Sequence, residues 1–509
     1  MPALAKPASR PVKTAAAPKP KPAAAKPKAA AAAADASHPP YFEVEDEDRL
    51  SKLPDDILLD ILGKGNIHTC IRASFSSTRW RHLPSLLSHI SLDISDFLRS
   101  DYDSLYPKAI DKAMSYLNKV ARISLAASGS KGTLKAESLR LLLATSYFYD
   151  ISKIVCDAIG NGEVKSVELA LPTVKISLKC CEMDMVRYAK DIICFFEAST
   201  NLFRHLTRLF LHNARFDELQ MHRLLNSCEQ LQHLVLNNCD TGDLSVLKID
   251  MPNSKITYLK LFSCCFEKIE FLCLPKLSEF HYELWYSINS PFSFGIVPCL
   301  EKVRLVSSMG NDQSGFKLSE LLHGANEMHA LTLDFLGDEV WMLPEGHKLH
   351  TLFNSLSKLF IHGIYAKFGL SWTLTLLEAA PFLKTFGIKV CDHVCTEKNR
   401  RLFAKRTNPW QKNNKLNRSR PLHLTRLEFG GFMAVKKHLQ FVRAVMNYAS
   451  SLETILLEDE DHCGYCDEVS SSLAYSLTGS MLPKNKSEQD MIRNQLGVGA
   501  SCSVQIIFK

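Results

Sequence analysis

"LQHLVLNNC", residues 231–239, returns 25 residues later as "ITYLKLFSC", residues 256–264. Apolar residues hold the first, fourth and sixth places in both, Leu231/Leu234/Leu236 and Ile256/Leu259/Leu261, and cysteine holds the ninth, Cys239 and Cys264. The alternation in the middle has the period of a strand with one buried face. A strand this short cannot bury that face alone.

Working outward, the same spacing recurs at Leu206/Leu209/Leu211, Leu277/Phe280/Tyr282, Leu300/Val303/Leu305, Met328/Leu331/Leu333 and Leu356/Leu359/Ile361. It continues at Leu383/Phe386/Ile388, Leu424/Leu427/Phe429 and Leu452/Ile455/Leu457. The intervals along this series are 25, 25, 21, 23, 28, 28, 27, 41 and 28 residues. Weaker copies lie upstream at Leu87/Ile90/Leu92, Val120/Ile123/Leu125 and Val164/Val167/Leu169. One such copy would carry no weight, but a long series near a 25-residue period predicts leucine-rich repeats. Stacked units bury one another's apolar faces and build a curved parallel sheet. The expected fold is therefore an α/β solenoid, with helices or irregular segments on the convex side. The segment "FDELQMHRLLNSCEQ", Phe216 to Gln230, has the amphipathic pattern of such a helix. Cys239 and Cys264 take the repeat's inward Asn/Cys position and are expected to be structural.

The 509-residue chain has a net charge of +7, and residues 1–34 alone supply it with six Lys, one Arg and no acid. The rest is balanced, which argues against a nucleic-acid footprint across the whole body. Residues 1–40 are nearly all Ala, Pro and Lys and predict a disordered tail. Such a tail is a solvated segment, a loose electrostatic contact or an organelle transit peptide. The longest repeat interval holds "KNRRLFAKRTNPWQKNNKLNRSR", residues 398–420, with nine basic residues around Trp410. That insertion reads as a solvated loop, a nuclear-import signal or a contact for an acidic partner.

Neither a secretory signal nor a run of 18 or more apolar residues occurs, so a membrane role is not expected. The 16 cysteines lie along a long chain without a framework and are read as reduced thiols of cytosol or nucleus. "HCGYC" sets Cys463 and Cys466 at CxxC spacing, and "CDHVC" groups Cys391, His393 and Cys395. A structural zinc site needs four ligands, and neither group has a second pair nearby, so no metal is assigned. Phosphate-binding, nucleophile-elbow and zinc-protease strings are absent, and neither an enzyme nor a cofactor is expected.

"DRLSKLPDDILLDILGK", residues 48–64, predicts a helix of fewer than three turns, opened by Pro54 and two acids and ended by glycine. A helix so short and apolar is marginal alone and must dock. "NIHTCIRASFSSTRWRHLPSLL" follows, with Ile67, Ile71 and Phe75 at helical spacing. The order Leu53-Pro54, Ile57-Leu58, Ile61-Leu62, Arg72, Ser74, Ser77 and Arg79-Trp80-Arg81 resembles the F-box, over residues 46–92. The family pattern is departed from where Gly63-Lys64-Gly65-Asn66 replaces a frequent Leu-Pro, and where Pro84 replaces a frequent Trp. The resemblance implies docking on a Skp-family adaptor, which joins cullin and a RING protein. It assigns adaptor contact to Leu53, Pro54, Ile57, Leu58, Ile61, Leu62, Ile71 and Trp80.

"HLTRLEFGGF" (423–432), "LQFVRAVMNYASSLETILLEDEDHCGYCD" (439–467) and the terminal "MIRNQLGVGASCSVQIIFK" are similar to the FBD region of plant F-box/leucine-rich-repeat proteins. The expected organisation is a tail (1–40), an F-box (46–92), repeats (93–420) and an FBD-like region (421–509). The function expected is a non-catalytic substrate receptor of an SCF-type ubiquitin ligase in nucleus or cytoplasm. Target contacts are expected on exposed strand positions such as Lys260, Arg304 and Lys358, and on Trp410. The rival reading is a nuclear protein whose basic tail and loop contact nucleic acid or an acidic partner.

Overall fold

The computed structural model describes residues 50, 52–98, 107–126, 136–144, 148–161, 164–173, 175–307, 315–345, 348–391, 408–412, 422–459, 482–483, 485–497 and 504–509. The expectations placed on residues 1–40, on His393, Cys395, Cys463 and Cys466, and on most of 398–420 lie outside them.

Seventeen strands are described: β1 (His89–Asp93), β2 (Ser138–Leu142), β3 (Ser166–Leu171), β4 (Leu206–His212), β5 (His233–Asn237), β6 (Ser245–Asp250), β7 (Tyr258–Phe262), β8 (Phe266–Cys273) and β9 (Glu279–Glu283). After them come β10 (Phe292–Ile296), β11 (Lys302–Val306), β12 (Ala330–Asp334), β13 (Lys358–Tyr365), β14 (Thr385–Cys391), β15 (Arg426–Gly430), β16 (Thr454–Leu457) and β17 (Gln505–Phe508). All but β6, β8 and β10 join in chain order into one parallel sheet of 14 strands.

The repeat spacing sets the register. The fourth-place apolar residues stand side by side from strand to strand: Leu209, Leu234, Leu259, Phe280, Val303, Leu331 and Leu359. All of them are buried. Each such side chain contributes roughly 1.5–3 kcal/mol on leaving water, and only a neighbouring repeat lets it do so. The fourth- and sixth-place residues of every clear copy lie on a strand of this sheet.

The weak copy Val120/Ile123/Leu125 is corrected: it belongs to a helix, Pro107–Ala126, with Ile123 exposed. A single apolar triplet fits a helix face as well as a strand, and only series membership separates them. The strand of that repeat is β2 instead. The boundary drawn at 420/421 does not divide the sheet, because β14 pairs with β15 and the sheet runs on to β17.

The back of the sheet changes character along the chain. Helices Glu182–Ala198 and Glu218–Ser227 cover β3 to β5, the second opened by a capping box in which Asp217 Oδ1 accepts from the Gln220 N–H at 2.7 Å. In the middle, β10, β8 and β6 form a second, three-stranded parallel sheet instead. These are the repeats with intervals of 25, 21 and 23 residues. Extended chain covers about 3.3 Å per residue against 1.5 Å for a helix, which suits the 21- and 23-residue units to a strand return. Length alone does not decide β6, because the equally long unit from Leu206 to Leu231 keeps the helix Glu218–Ser227. Phe271 meets Phe280 at 5.1 Å between ring centroids, and Phe292 meets Phe280 at 5.3 Å. These rings fill the layer between the two sheets.

Just past the strand, successive repeats hold one residue in the left-handed region: Asn213, Asn238, Ser263 and Leu284, with φ of 52°, 49°, 53° and 56°. That turn points each N–H at the last carbonyl of the next strand, as from Asn238 to Phe262 at 2.8 Å. The thiols that follow are fully buried, Cys264 Sγ donating to the Leu236 carbonyl at 3.4 Å.

Candidate functional site

Three short elements form the N-terminal module: helix α1 (Asp55–Gly63), helix α2 (Ile67–Ser76) and a 3-10 turn, Trp80–Leu86. Asp55 and Asp56 sit in the first turn of α1, where the helix dipole favours them. Asn66 caps α2 by accepting the Thr69 N–H at 2.9 Å. The Cys70 thiol donates to the Leu62 carbonyl at 3.0 Å, tying α2 to the end of α1. Arg79 closes the module from the other side. Its guanidinium donates to the Leu53 carbonyl at 2.6 Å and to the Asp55 carboxylate at 3.0 Å.

The module's apolar residues divide into two sets. Leu58, Leu62 and Ile71 are 0, 5 and 4 % exposed and belong to the chain's own core, together with Ile67, Cys70 and Leu83. This corrects the sequence assignment of those three as surface contacts. Leu53 and Trp80 are half-buried and pack against the same core. Ile57 and Ile61, one turn apart on α1, are 45 and 41 % exposed, and Pro54 is exposed beside them.

Phe75 is 73 % exposed, and Leu50 and Leu86 are exposed as well. Phe75 stands at i+8 from Ile67 and i+4 from Ile71, a spacing that predicts one stripe. At 100° per residue it has drifted about 80° from Ile67, whereas Ser74 remains within about 20° of it. Ser74 is accordingly buried, its hydroxyl donating to the Ile71 carbonyl at 2.7 Å. Careful helical angles could have found this; the i, i+4, i+8 shorthand hides it.

On the open face of the long sheet, Lys260 and Arg304 are less available than expected. Lys260 Nζ lies 3.1 Å from Glu283, and Arg304 reaches Glu283 at 3.6 Å and Asp334 at 3.7 Å. Lys358 is exposed at the start of β13. Trp410 is not a surface anchor at all. It is 3 % exposed, its indole N–H donates to the Met342 carbonyl at 2.8 Å, and its ring lies 6.0 Å from that of Trp372. A Trp with its N–H satisfied is a core residue.

The site is thus built for contact between surfaces. Among the described residues no three His, Cys, Asp or Glu side chains are grouped to hold a metal, and no helix is long and apolar enough to cross a membrane.

Comparison with known proteins agrees with this architecture. The F-box domain matches residues 50–88, and the family described as "At1g61320/AtMIF1, LRR domain" matches residues 175–497. The chain is a plant-type F-box/leucine-rich-repeat protein. More narrowly, it belongs to that At1g61320/AtMIF1 leucine-rich-repeat family. F-box/FBD/LRR-repeat protein At2g04230 of Arabidopsis thaliana is 26% identical over 212 residues, 41% of this chain and 46% of that protein. Putative F-box/LRR-repeat protein At5g54820 of the same plant is 22% identical over 328 residues, 56% of this chain and 64% of that one. F-box protein At1g80960 is 42% identical over 52 residues, 10% of this chain and 11% of its own. The chain spans about half the length of the first curated relatives it matches. An FBD region is suggested by the relatives' names.

Proposed function

We propose that this protein is the substrate-recognition subunit of an SCF-type ubiquitin ligase. Its N-terminal module binds a Skp-family adaptor, and through it cullin and a RING protein, while the repeats hold a target protein. The chain itself is non-catalytic: ubiquitin transfer belongs to other subunits, and this one contributes proximity. The observation that carries the reading is the exposure of Ile57, Ile61 and Phe75 on helices whose other apolar faces are already buried. Bulky apolar groups left in water on a small module mark a surface that a partner covers. Action in nucleus or cytoplasm is part of the proposal, since the assembly works there.

The test is reconstitution of the full chain with a plant Skp-family adaptor and cullin, followed by size exclusion. Co-elution of all three is the expected result. Adaptor bound without cullin would assign the chain to an adaptor complex of another purpose, and no adaptor bound would sink the reading.

A further inference from the structure

The open face of the long sheet carries a run of apolar residues on four adjacent strands at its N-terminal side. In register across β2 to β5, the position between the two buried apolar residues is occupied by Leu142, Ala170, Phe210 and Val235. At the next two strands the same row becomes Lys260 and His281. The neighbouring row reads Arg140, Glu168, Arg208, His233 and Tyr258. Together the two rows line a cavity of about 570 Å³, within the range of about 300–1,000 Å³ that holds ligands.

We propose that this cavity reads the target, and that it takes an extended peptide segment with one bulky apolar side chain beside a carboxylate. The inference rests on the receptor function proposed above and gives its target surface a chemistry.

Two features select that occupant. The first is shape. Ala170 stands between Leu142 and Phe210, so the floor has a notch at the small residue. Strands lie about 4.8 Å apart, so β2 and β4 are about 10 Å apart across Ala170, and the space left over its methyl between the Leu142 and Phe210 side chains suits one Leu- or Phe-sized side chain. The apolar floor spans three strand gaps, about 14 Å, or about four residues of extended chain. Four side chains are far short of the roughly 800 Å² that each partner buries in a stable interface between folded proteins, which disfavours a second copy of the chain.

The second feature is charge. The charged groups lining the cavity are two guanidiniums and one carboxylate, Arg140, Arg208 and Glu168. Arg208 Nε lies 3.3 Å from Glu168, which leaves the lining with one positive charge in excess. Asp96, a carboxylate that interacts with Arg140, does not line the cavity. At the far end Lys260 is matched by Glu283. An acidic peptide residue near the notch completes the balance at Arg140, and guanidiniums bind carboxylates through a planar fork.

The experiment is selection of a random peptide library on the immobilised full-length chain, with the affinity of enriched peptides then measured by fluorescence anisotropy. Enriched peptides should share a bulky apolar residue with Asp or Glu close by. Ala170→Leu, which fills the notch from the open face, should weaken them at least about tenfold with an unchanged melt. The pair Arg140→Glu and Arg208→Glu should instead select peptides carrying Lys or Arg. Enrichment without acids, indifference to Ala170→Leu or no enrichment at all would overturn the proposal. So would stabilisation of the chain by phenylacetate alone, which would make the occupant a small aromatic acid. Adaptor binding is measured on the same preparations: its loss alongside an intact peptide rule would count against the receptor function and leave the pocket's chemistry standing.

Discussion

Single side chains decide what the N-terminal module can do. Ile57 and Phe75 are exposed, whereas Leu58, next to Ile57 in sequence, is fully buried. If the exposed pair anchors an adaptor, truncation of each costs on the order of 2 kcal/mol of binding. Ile57→Ala with Phe75→Ala should then weaken adaptor binding roughly 1,000-fold, at about 1.4 kcal/mol per tenfold, with the melt unchanged. Leu58→Ala should do the reverse and cost about 2–5 kcal/mol of stability through a cavity. Calorimetric titration beside a thermal melt reads both, and retained binding in the double variant would refute the docking surface. The inward cysteines yield a second expectation at this scale. Burial pushes the Cys264 thiol up to about 12, and Cys239 is likewise raised well above its ordinary value. The thiolate is the reactive form, so native alkylation with peptide-level mass spectrometry should label exposed Cys181 and Cys194 and spare Cys239 and Cys264. Labelling of the latter two in folded protein would contradict the packed-thiol assignment.

At the scale of elements, the back of the solenoid and its long insertion carry the information. The turn Pro409–Lys412 interrupts a segment so basic that its sequence reads as solvated loop, yet it inserts an indole into the core. Trp410 bonds to Met342, 68 residues earlier, and thereby pins the turn to the body. Trp410→Ala should cost about 3–5 kcal/mol, seen as a lower denaturant midpoint. Trp410→Phe keeps much of the ring contact and leaves the Met342 carbonyl unpaired, for a smaller loss of about 1–3 kcal/mol. Equal, negligible effects of both would show the turn to be loosely held. The two shortest repeats, of 21 and 23 residues, make a point about length. Where a repeat is too short for a helix, aromatic strands from Phe266 to Ile296 fill the gap.

Across the whole molecule, two desolvated histidines, the buried His438 and the half-buried His212, couple stability to pH. Burial holds His212 and His438 down to about 4, and both are neutral in the native state until that pH. His438 Nδ1 accepts the Met433 N–H at 3.1 Å, which fits the neutral ring. In the unfolded chain both take up a proton near pH 6.5. Between about pH 6.5 and 4 the unfolded state therefore binds more protons, and stability falls as the pH is lowered through that window. Two such groups imply a slope on the order of 2 kcal/mol per pH unit near pH 5, measurable by denaturant titration at several pH values. His438→Gln should roughly halve it, and a slope unchanged in that variant would remove His438 from the account.

The stacking of this protein was legible in its sequence because a repeat encodes it many times over. Leu209, Leu234 and Leu259 recur at a spacing that only a parallel ladder satisfies, and each copy corrects doubt about the others. The F-box was legible for a related reason, since Leu53-Pro54, Arg79 and Trp80 hold the spacing of three docked elements. What one copy stated was less secure, as Val120/Ile123/Leu125 shows by lying on a helix. Tertiary structure alone decided which side of each element meets solvent. Hydrophobicity marks Ile57 and Leu58 alike, but Leu58 is enclosed by the core and Ile57 stays 45 % exposed. Lys260 and Arg304 read as free cations until Glu283 and Asp334 arrive from neighbouring strands. Trp410 reads as exposed until the Met342 carbonyl is brought beside it. Local spacing determines which elements form and how they stack, and burial or pairing of a given side chain depends on groups far away in sequence that only the packed chain brings near.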